Sequence, residues 1–242
     1  MQTLLLATRN AHKVEEIRAI LGFNFNCLSL DDFIGVPRVA EDANSFAGNA
    51  TKKAIQIAHW LSQDDTRFQL KNAKVDYVMA DDSGLKVDFL NGEPGVHSAR
   101  FAAMDGGKPG KNGNSPDADN NAKLLRLMGK VPEGKRAARF RCVIALTVIP
   151  ESRVESSSPV CFQDKFDTQI FDGVCPGKIL AAPRGQNGFG YDPLFVPDGY
   201  EQTFAELGDD VKNQISHRAK ALAKVREYLD RLNASAQAAP AA

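Results

Sequence analysis

The chain has 242 residues, with 30 Lys plus Arg against 30 Asp plus Glu, 43% hydrophobic and 25% charged residues. That length suits one domain, and size scaling lets it bury about 70% of the unfolded surface without staples. The even charge excludes a protein that holds nucleic acid or an anionic membrane by bulk positive potential, while small anionic ligands, which need only local cations, stay open.

In chain order, the apolar run Thr3–Ala7 reads as a strand that ends at Thr8-Arg9-Asn10. A helix follows from Ala11 with Val14, Ile17 and Leu21 on one side and Gly22 as its stop. Phe25–Leu30 is a candidate strand. Ser45 suits the cap of a helix whose apolar face is Phe46, Ala50, Ala54, Ile57, Ala58 and Leu61. Val75–Ala80 and Leu85–Phe89 read as two strands separated by a tight polar turn, Asp81-Asp82-Ser83-Gly84. Met104–Asp119, with its glycines and prolines, reads as a mobile loop, Asn121–Met128 as a helix, and Ala138–Ile149 as a long strand. Pro150–Pro159 is a second insertion and Val160–Phe171 an extended segment. After Ile179 turns dominate until Val211. From Ser216 a stripe of Ala219, Leu222, Val225, Leu229 and Leu232 marks the last helix. The expected organisation is therefore one α/β domain over 1–232, with a mixed sheet, mobile insertions at about 104–119 and 150–159, and a disordered Ala-rich tail over 233–242. Cys27, Cys142, Cys161 and Cys175 form no C-x-x-C pair and read as reduced thiols. With no basic n-region or membrane-length apolar run, the expected location is the cytoplasm.

Several stretches have the residue types that chemistry needs. Thr8–Lys13 lies where a strand meets a helix N-terminus, which favours an anion, so Thr8, Asn10 and Lys13 suit a phosphate; a plain helix cap at Asn10 with a solvated Lys13 is the simpler reading. Walker A spacing is absent, which excludes a P-loop NTPase. Asp81 and Asp82 follow an apolar strand, where two adjacent acids repel each other and a divalent cation relieves the cost; a turn sequence is the equal alternative. Glu41 and Asp42 are either further metal ligands or ordinary acids near a helix start. Gly185–Pro193 sets glycines around Phe189 and Tyr191, which suits close approach to a ligand and stacking on a base, or else an aromatic plug. Lys212, Ser216, His217 and Arg218 offer donors to a base edge or phosphate, or form the start of the last helix.

Taken together, Thr8–Lys13 (T-x-N-x-x-K), Glu41–Ala54 (EDANSFAGNATKKA), Ala80–Ala102 (beginning ADDSGL), Ala138–Ala145, Gly188–Phe195 (GFGYDPLF) and Thr203–Leu222 with its I-S-H-R box stand in the order of a known family. The chain resembles the inosine triphosphate pyrophosphatases, which hydrolyse non-standard purine nucleoside triphosphates. The resemblance implies an elongated mixed β-sheet flanked by helices with a deep active-site cleft, and a homodimer. It implies Asp82 as catalytic base and, with Glu41, as ligand of a divalent metal, usually Mg²⁺; the region is one residue shorter than in typical members, which leaves Asp42 as an alternative to Glu41. It further implies that the substrate is held by Thr8, Arg9, Asn10, Ala11, His12, Lys13 and Lys53 at the triphosphate, by Ser83, by Phe189, Gly190, Tyr191 and Asp192 at the base, and by Lys212, His217 and Arg218, which recognise the purine. The expected products are a nucleoside monophosphate and pyrophosphate from ITP, dITP or XTP, with neither nucleic acid nor membrane as a partner. A related pyrophosphatase with another base preference and a nucleotide-binding module without catalysis are the alternatives. Arg9 stands where Gly or Ser is common, Gly48 replaces a usual acidic residue, and the two insertions are longer than the family needs.

Overall fold

The computed structural model describes residues 1–63, 74–106, 113–150 and 166–238. Six strands, β1 (Gln2–Leu6), β2 (Phe25–Ser29), β3 (Tyr77–Val87), β4 (Ala137–Val148), β5 (Thr168–Ile179) and β6 (Phe195–Pro197), form a sheet of order β2-β1-β3-β4-β5-β6. β1 runs parallel to β2 and β3, and β5 pairs antiparallel with β6, so the sheet is mixed as expected. The long helices are α1 (Ala11–Leu21), α2 (Phe46–Leu61), α3 (Asp117–Met128), α4 (Phe204–Ile215) and α5 (His217–Ala238). Among the described residues no helix is long and apolar enough to cross a membrane.

Packing divides the chain into two compact units, and every division falls inside a strand or the last helix. The first unit is Met1–Asp82, Val143–Asp172 and Ala221–Ala242; the second is Ser83–Cys142 and Gly173–Lys220.

In the first unit, the strand residues Leu4, Leu5, Leu6, Val78, Met79 and Ala80 are buried, as parallel strands covered on both faces require. Helix α1 starts at Asn10, whose Oδ1 accepts from Lys13 N at 3.3 Å, and stops at Gly22. Helix α2 starts at Ser45, whose Oγ accepts from Gly48 N at 3.0 Å. Its buried face includes the expected apolar residues and also Asn49 and Lys53, one turn apart.

The second unit packs around Leu85, Val87, Phe101, Leu124, Met128, Phe140, Ile179, Leu194, Phe195 and Phe204. Arg136, buried beneath this core, donates to the carbonyls of Ile179, Met128, Val131 and Leu180, so its charge is dispersed over four acceptors.

Several expectations need correction. Asp81–Gly84 is no turn: β3 runs unbroken from Tyr77 to Val87, and Asp88–Leu90 is a short 3₁₀ turn. Gly84 is small because its neighbours are close; a Cβ there would lie 2.3 Å from Ser98 Oγ and 2.5 Å from Gly95 O. Gly84→Ala is therefore expected to destabilise by ~1–3 kcal/mol, read as a lower urea midpoint. Helix α3 starts at Asp117 rather than Asn121, after Pro116. The turn-rich reading of the stretch before Val211 missed α4, which a capping box of Thr203 and Glu206 opens and which Gly208 kinks. Of the extended segment expected over Val160–Phe171, residues 168–171 open strand β5, which continues to Ile179; residues 160–165 lie outside the described residues. The last helix continues to Ala238, through the first six positions assigned to the tail, because Ala is the best helix former. Within the two insertions, 107–112 and 151–159 lie outside the described residues, as do 239–242 of the tail.

Candidate active site

In the first unit, strand geometry sends the adjacent Asp81 and Asp82 side chains to opposite faces of β3, and each meets different partners. Asp81 forms an ion pair with Lys13 of α1. Asp82 Oδ2 accepts from Asn49 Nδ2 at 2.9 Å, and its Oδ1 lies 3.9 Å from Lys53 Nζ. Lys53 also donates to the Asp81 carbonyl at 2.7 Å and to Glu41 Oε1 at 3.0 Å. The repulsion expected between two neighbouring acids is thus relieved by the strand pleat and by two lysines.

Asp81 and Asp82 are both buried, at 3% and 5% exposure. Burial pushes the Asp82 carboxyl above its ordinary range and Glu41 adds to the rise, while Lys53, Lys13 and the Asn49 hydrogen bond pull it down. Glu41, the acid expected here, does face Lys53. Asp42, its alternative, is exposed and bonded to Lys52 at 2.6 Å, and that hydrogen bond holds its carboxyl below the ordinary range.

The β1–α1 turn stands beside the Lys13–Asp81 pair along the chain. Thr8 Oγ1 accepts from Asn10 N at 3.2 Å, which shapes the turn at the helix N-terminus. Arg9 is exposed and donates to the Val36 carbonyl at 3.0 Å, and Ala11 and His12 are exposed in the first turn of α1.

The donor set suits a hard cation. Glu41 and Asp82 offer two carboxylates around one ammonium, the position a cation prefers, and Mg²⁺ commonly takes one or two carboxylates and completes its shell with water and phosphate oxygens. Among the described residues no cluster of three or more His, Cys, Asp or Glu forms a closed protein cage.

In the second unit the expected residues also converge. Lys212, buried at 2%, binds Asp192 Oδ2 at 2.6 Å and lies 4.5 Å from the centre of the Phe189 ring. Asp192 Oδ2 accepts from Phe189 N at 3.0 Å as well, closing the Gly188–Asp192 turn on itself. Gly188 has φ of 75° and a Cβ there would fall 2.2 Å from Asp192 Oδ2, so only glycine fits. The Arg218 guanidinium lies 5.9 Å from the Phe189 ring and donates to Ser83 Oγ at 3.0 Å. His217 stacks on Phe140, with ring centres 4.8 Å apart and planes 12° from parallel.

Tyr191, expected at the base, points instead into the core. Its hydroxyl donates to the Ser98 carbonyl at 2.8 Å, and burial holds its ionisation far above the ordinary range. Gly190 is fixed by two residues the sequence reading missed: Asp117 Oδ2 accepts from its N at 2.6 Å, and Asn121 Nδ2 donates to its carbonyl at 2.9 Å. Asn49 was also missed as a member of the acidic cluster. The one signal available for Asn49 was a polar residue inside the apolar stripe of α2.

These elements define an α/β protein with a mixed sheet, carrying a buried carboxylate–lysine cluster in one unit and an aromatic–cation cluster in the other. The chain belongs to the Ham1 family, which it matches over residues 4–228. It is 44% identical over 230 residues to a dITP/XTP pyrophosphatase of Desulforamulus reducens, covering 95% of this chain and 96% of that one. It is 42% identical over 231 residues to a dITP/XTP pyrophosphatase of Clostridium perfringens, covering 95% and 98%. Among solved structures, the Staphylococcus aureus Ham1 protein matches with a TM-score of 0.70 at 31% identity, covering 95% of this chain and 98% of that one. A HAM1 protein from Coxiella burnetii matches with a TM-score of 0.70 at 33% identity, covering 96% and 100%.

Proposed function

We propose that the protein hydrolyses the non-standard purine nucleoside triphosphates ITP, dITP and XTP to the nucleoside monophosphate and pyrophosphate. The observation that carries this reading is the buried Asp82, held by Asn49 and flanked by Lys53, Lys13 and Glu41. Relatives that carry the dITP/XTP pyrophosphatase name over nearly the whole chain support it.

In this reading, Thr8, Asn10 and the backbone of Arg9–His12 at the start of α1 take the phosphates, with Lys13 and Lys53 supplying charge. Asp82 orients a water and accepts its proton as the oxygen attacks the α-phosphorus in line; the bond to the bridging oxygen breaks and pyrophosphate leaves. Glu41 and Asp82 would hold a Mg²⁺, which when bound neutralises charge on the phosphate oxygens. Lys13 and Lys53 offset the charge that grows on the departing pyrophosphate.

Phe189 offers the purine a stacking face, in a turn locked by Asp192 and Lys212. Arg218 and His217 donate to the oxygen at the purine six-position. Adenine presents an amino group there, which sets donor against donor and can cost several kcal/mol when buried. We assign the working form as a cytoplasmic homodimer on the family resemblance. The balanced charge supports a small-molecule substrate over nucleic acid.

The test is pyrophosphate against orthophosphate release from inosine, xanthosine, adenosine and guanosine triphosphates, with and without Mg²⁺. Metal-dependent pyrophosphate from the first two is the expected result. Tight ITP binding with no product would turn the reading to a binding module, and hydrolysis of other bases in preference would turn it to a related pyrophosphatase.

A further inference from the structure

We propose that Asn49 is a positioning residue that fixes both carboxylates of the site at once; this rests on the reading of Asp82 and Glu41 given above. Asn49 lies on the buried stripe of α2 and is 0% exposed. An amide buried in such a place is tolerated only when its polar atoms find partners.

Both its ends do. Asn49 Oδ1 accepts from Ala43 N at 2.9 Å, and Asn49 Nδ2 donates to Asp82 Oδ2 at 2.9 Å. The chemistry fixes which end is which: a backbone N–H only donates and an ionised carboxylate only accepts, so the amide has one satisfying orientation.

Ala43 lies two residues beyond Glu41, so the first bond anchors the backbone of the segment that carries Glu41. The second occupies one oxygen of Asp82 and leaves Oδ1 as the oxygen on the Lys53 side. Capping of α2 does not require Asn49, because Ser45 Oγ already accepts from Gly48 N. An amide that joins a loop to a buried carboxylate thus sets the separation and rotation of two acids, as outer partners of metal-binding carboxylates commonly do.

Two substitutions separate the bonds. Asn49→Asp keeps an acceptor for Ala43 N and replaces the donor to Asp82 by a carboxylate oxygen. Asn49→Leu removes both bonds without adding charge. For each variant and the wild type, the thermal midpoint, kcat and KM for ITP, and the Mg²⁺ concentration for half-maximal activity would be measured. Mn²⁺ binding without nucleotide, read from the electron paramagnetic resonance signal of free Mn²⁺, would be followed for wild type and Asn49→Leu.

Both variants are expected to lose about 10–100-fold in kcat with KM little changed. Asn49→Leu should also raise the half-activating Mg²⁺ concentration and weaken Mn²⁺ binding by about tenfold. A mere folding defect would lower the active fraction and leave the half-activating concentration where it was, and that result would overturn the proposal. Wild-type kcat in Asn49→Asp would overturn it too, because the Ala43 bond alone would then suffice. If the wild type itself releases no pyrophosphate, the hydrolase reading fails; Mn²⁺ binding then decides the positioning role, supported by weaker binding in Asn49→Leu and overturned by equal binding.

Discussion

Asp82→Asn is expected to lower kcat for pyrophosphate release from ITP by ~10²–10⁴-fold, the usual worth of a positioned general base, while the fold survives. The amide has the shape of the carboxylate and can still accept from Asn49 Nδ2 through its oxygen. It cannot take a proton from water, and it offers Lys53 no charge. Stability should move the other way. Burial holds the Asp82 carboxyl above its ordinary value of 3.8, so the folded chain binds this proton more tightly than the unfolded chain does. Between those two values, rising pH takes the proton from the unfolded chain first, and stability falls; above the folded value the full cost of a buried charge is in place. A neutral amide carries none of that cost. The thermal midpoint of Asp82→Asn in metal-free buffer at pH 7 should therefore equal or exceed that of the wild type. Retained turnover would remove Asp82 from the base role, and a collapsed midpoint would show a structural one.

How far the sequence disclosed this site depended on how local each signal was. The openings of α1 and α2 were legible because caps and apolar periodicity act within a few residues: Asn10 and Ser45 stand where their patterns put them. The turn read at Asp81–Gly84 failed for the opposite reason. Asp-Asp-Ser-Gly has turn composition, but Lys13 and Asn49 bond its carboxylates and Lys53 bonds the Asp81 carbonyl, all from 28 or more residues away in the chain. With those partners the polar residues stay in a buried strand. The same distance hid Asp117 and Asn121, which reach Gly190 across 73 and 69 residues. Helix α4 could have been found, since Thr203 and Glu206 have capping-box spacing, but the surrounding turn residues and Gly208 outweighed it. The family motifs named Glu41, Lys53 and Asp82, which the structure brings together in the first unit, and Lys212 and Arg218, which it brings near Phe189 in the second. They did not show that Tyr191 serves the core, because a motif records which residues recur and not where each side chain points.

Lys212→Met is expected to destabilise the protein by ~3–5 kcal/mol, the usual consequence of leaving a buried carboxylate without its cation. At about 2–4 °C per kcal/mol for a chain of this size, the thermal midpoint should fall visibly. The Lys212 and Asp192 side chains are only 2% and 3% exposed, and the ammonium lies over the Phe189 and Phe204 rings, so water cannot take its place cheaply. Adding Asp192→Asn should recover much of the loss, because the remaining amide is neutral and can still accept from Phe189 N. Function should not recover with it. The Phe189 turn would be closed again but without its cation, and the ratio of kcat/KM for ITP over ATP should stay low. Urea midpoints and that ratio, measured on the two single variants and the double one, separate the contributions. A double variant with wild-type discrimination would confine Lys212 to neutralising Asp192 and leave recognition of the six-position oxygen to Arg218 and His217.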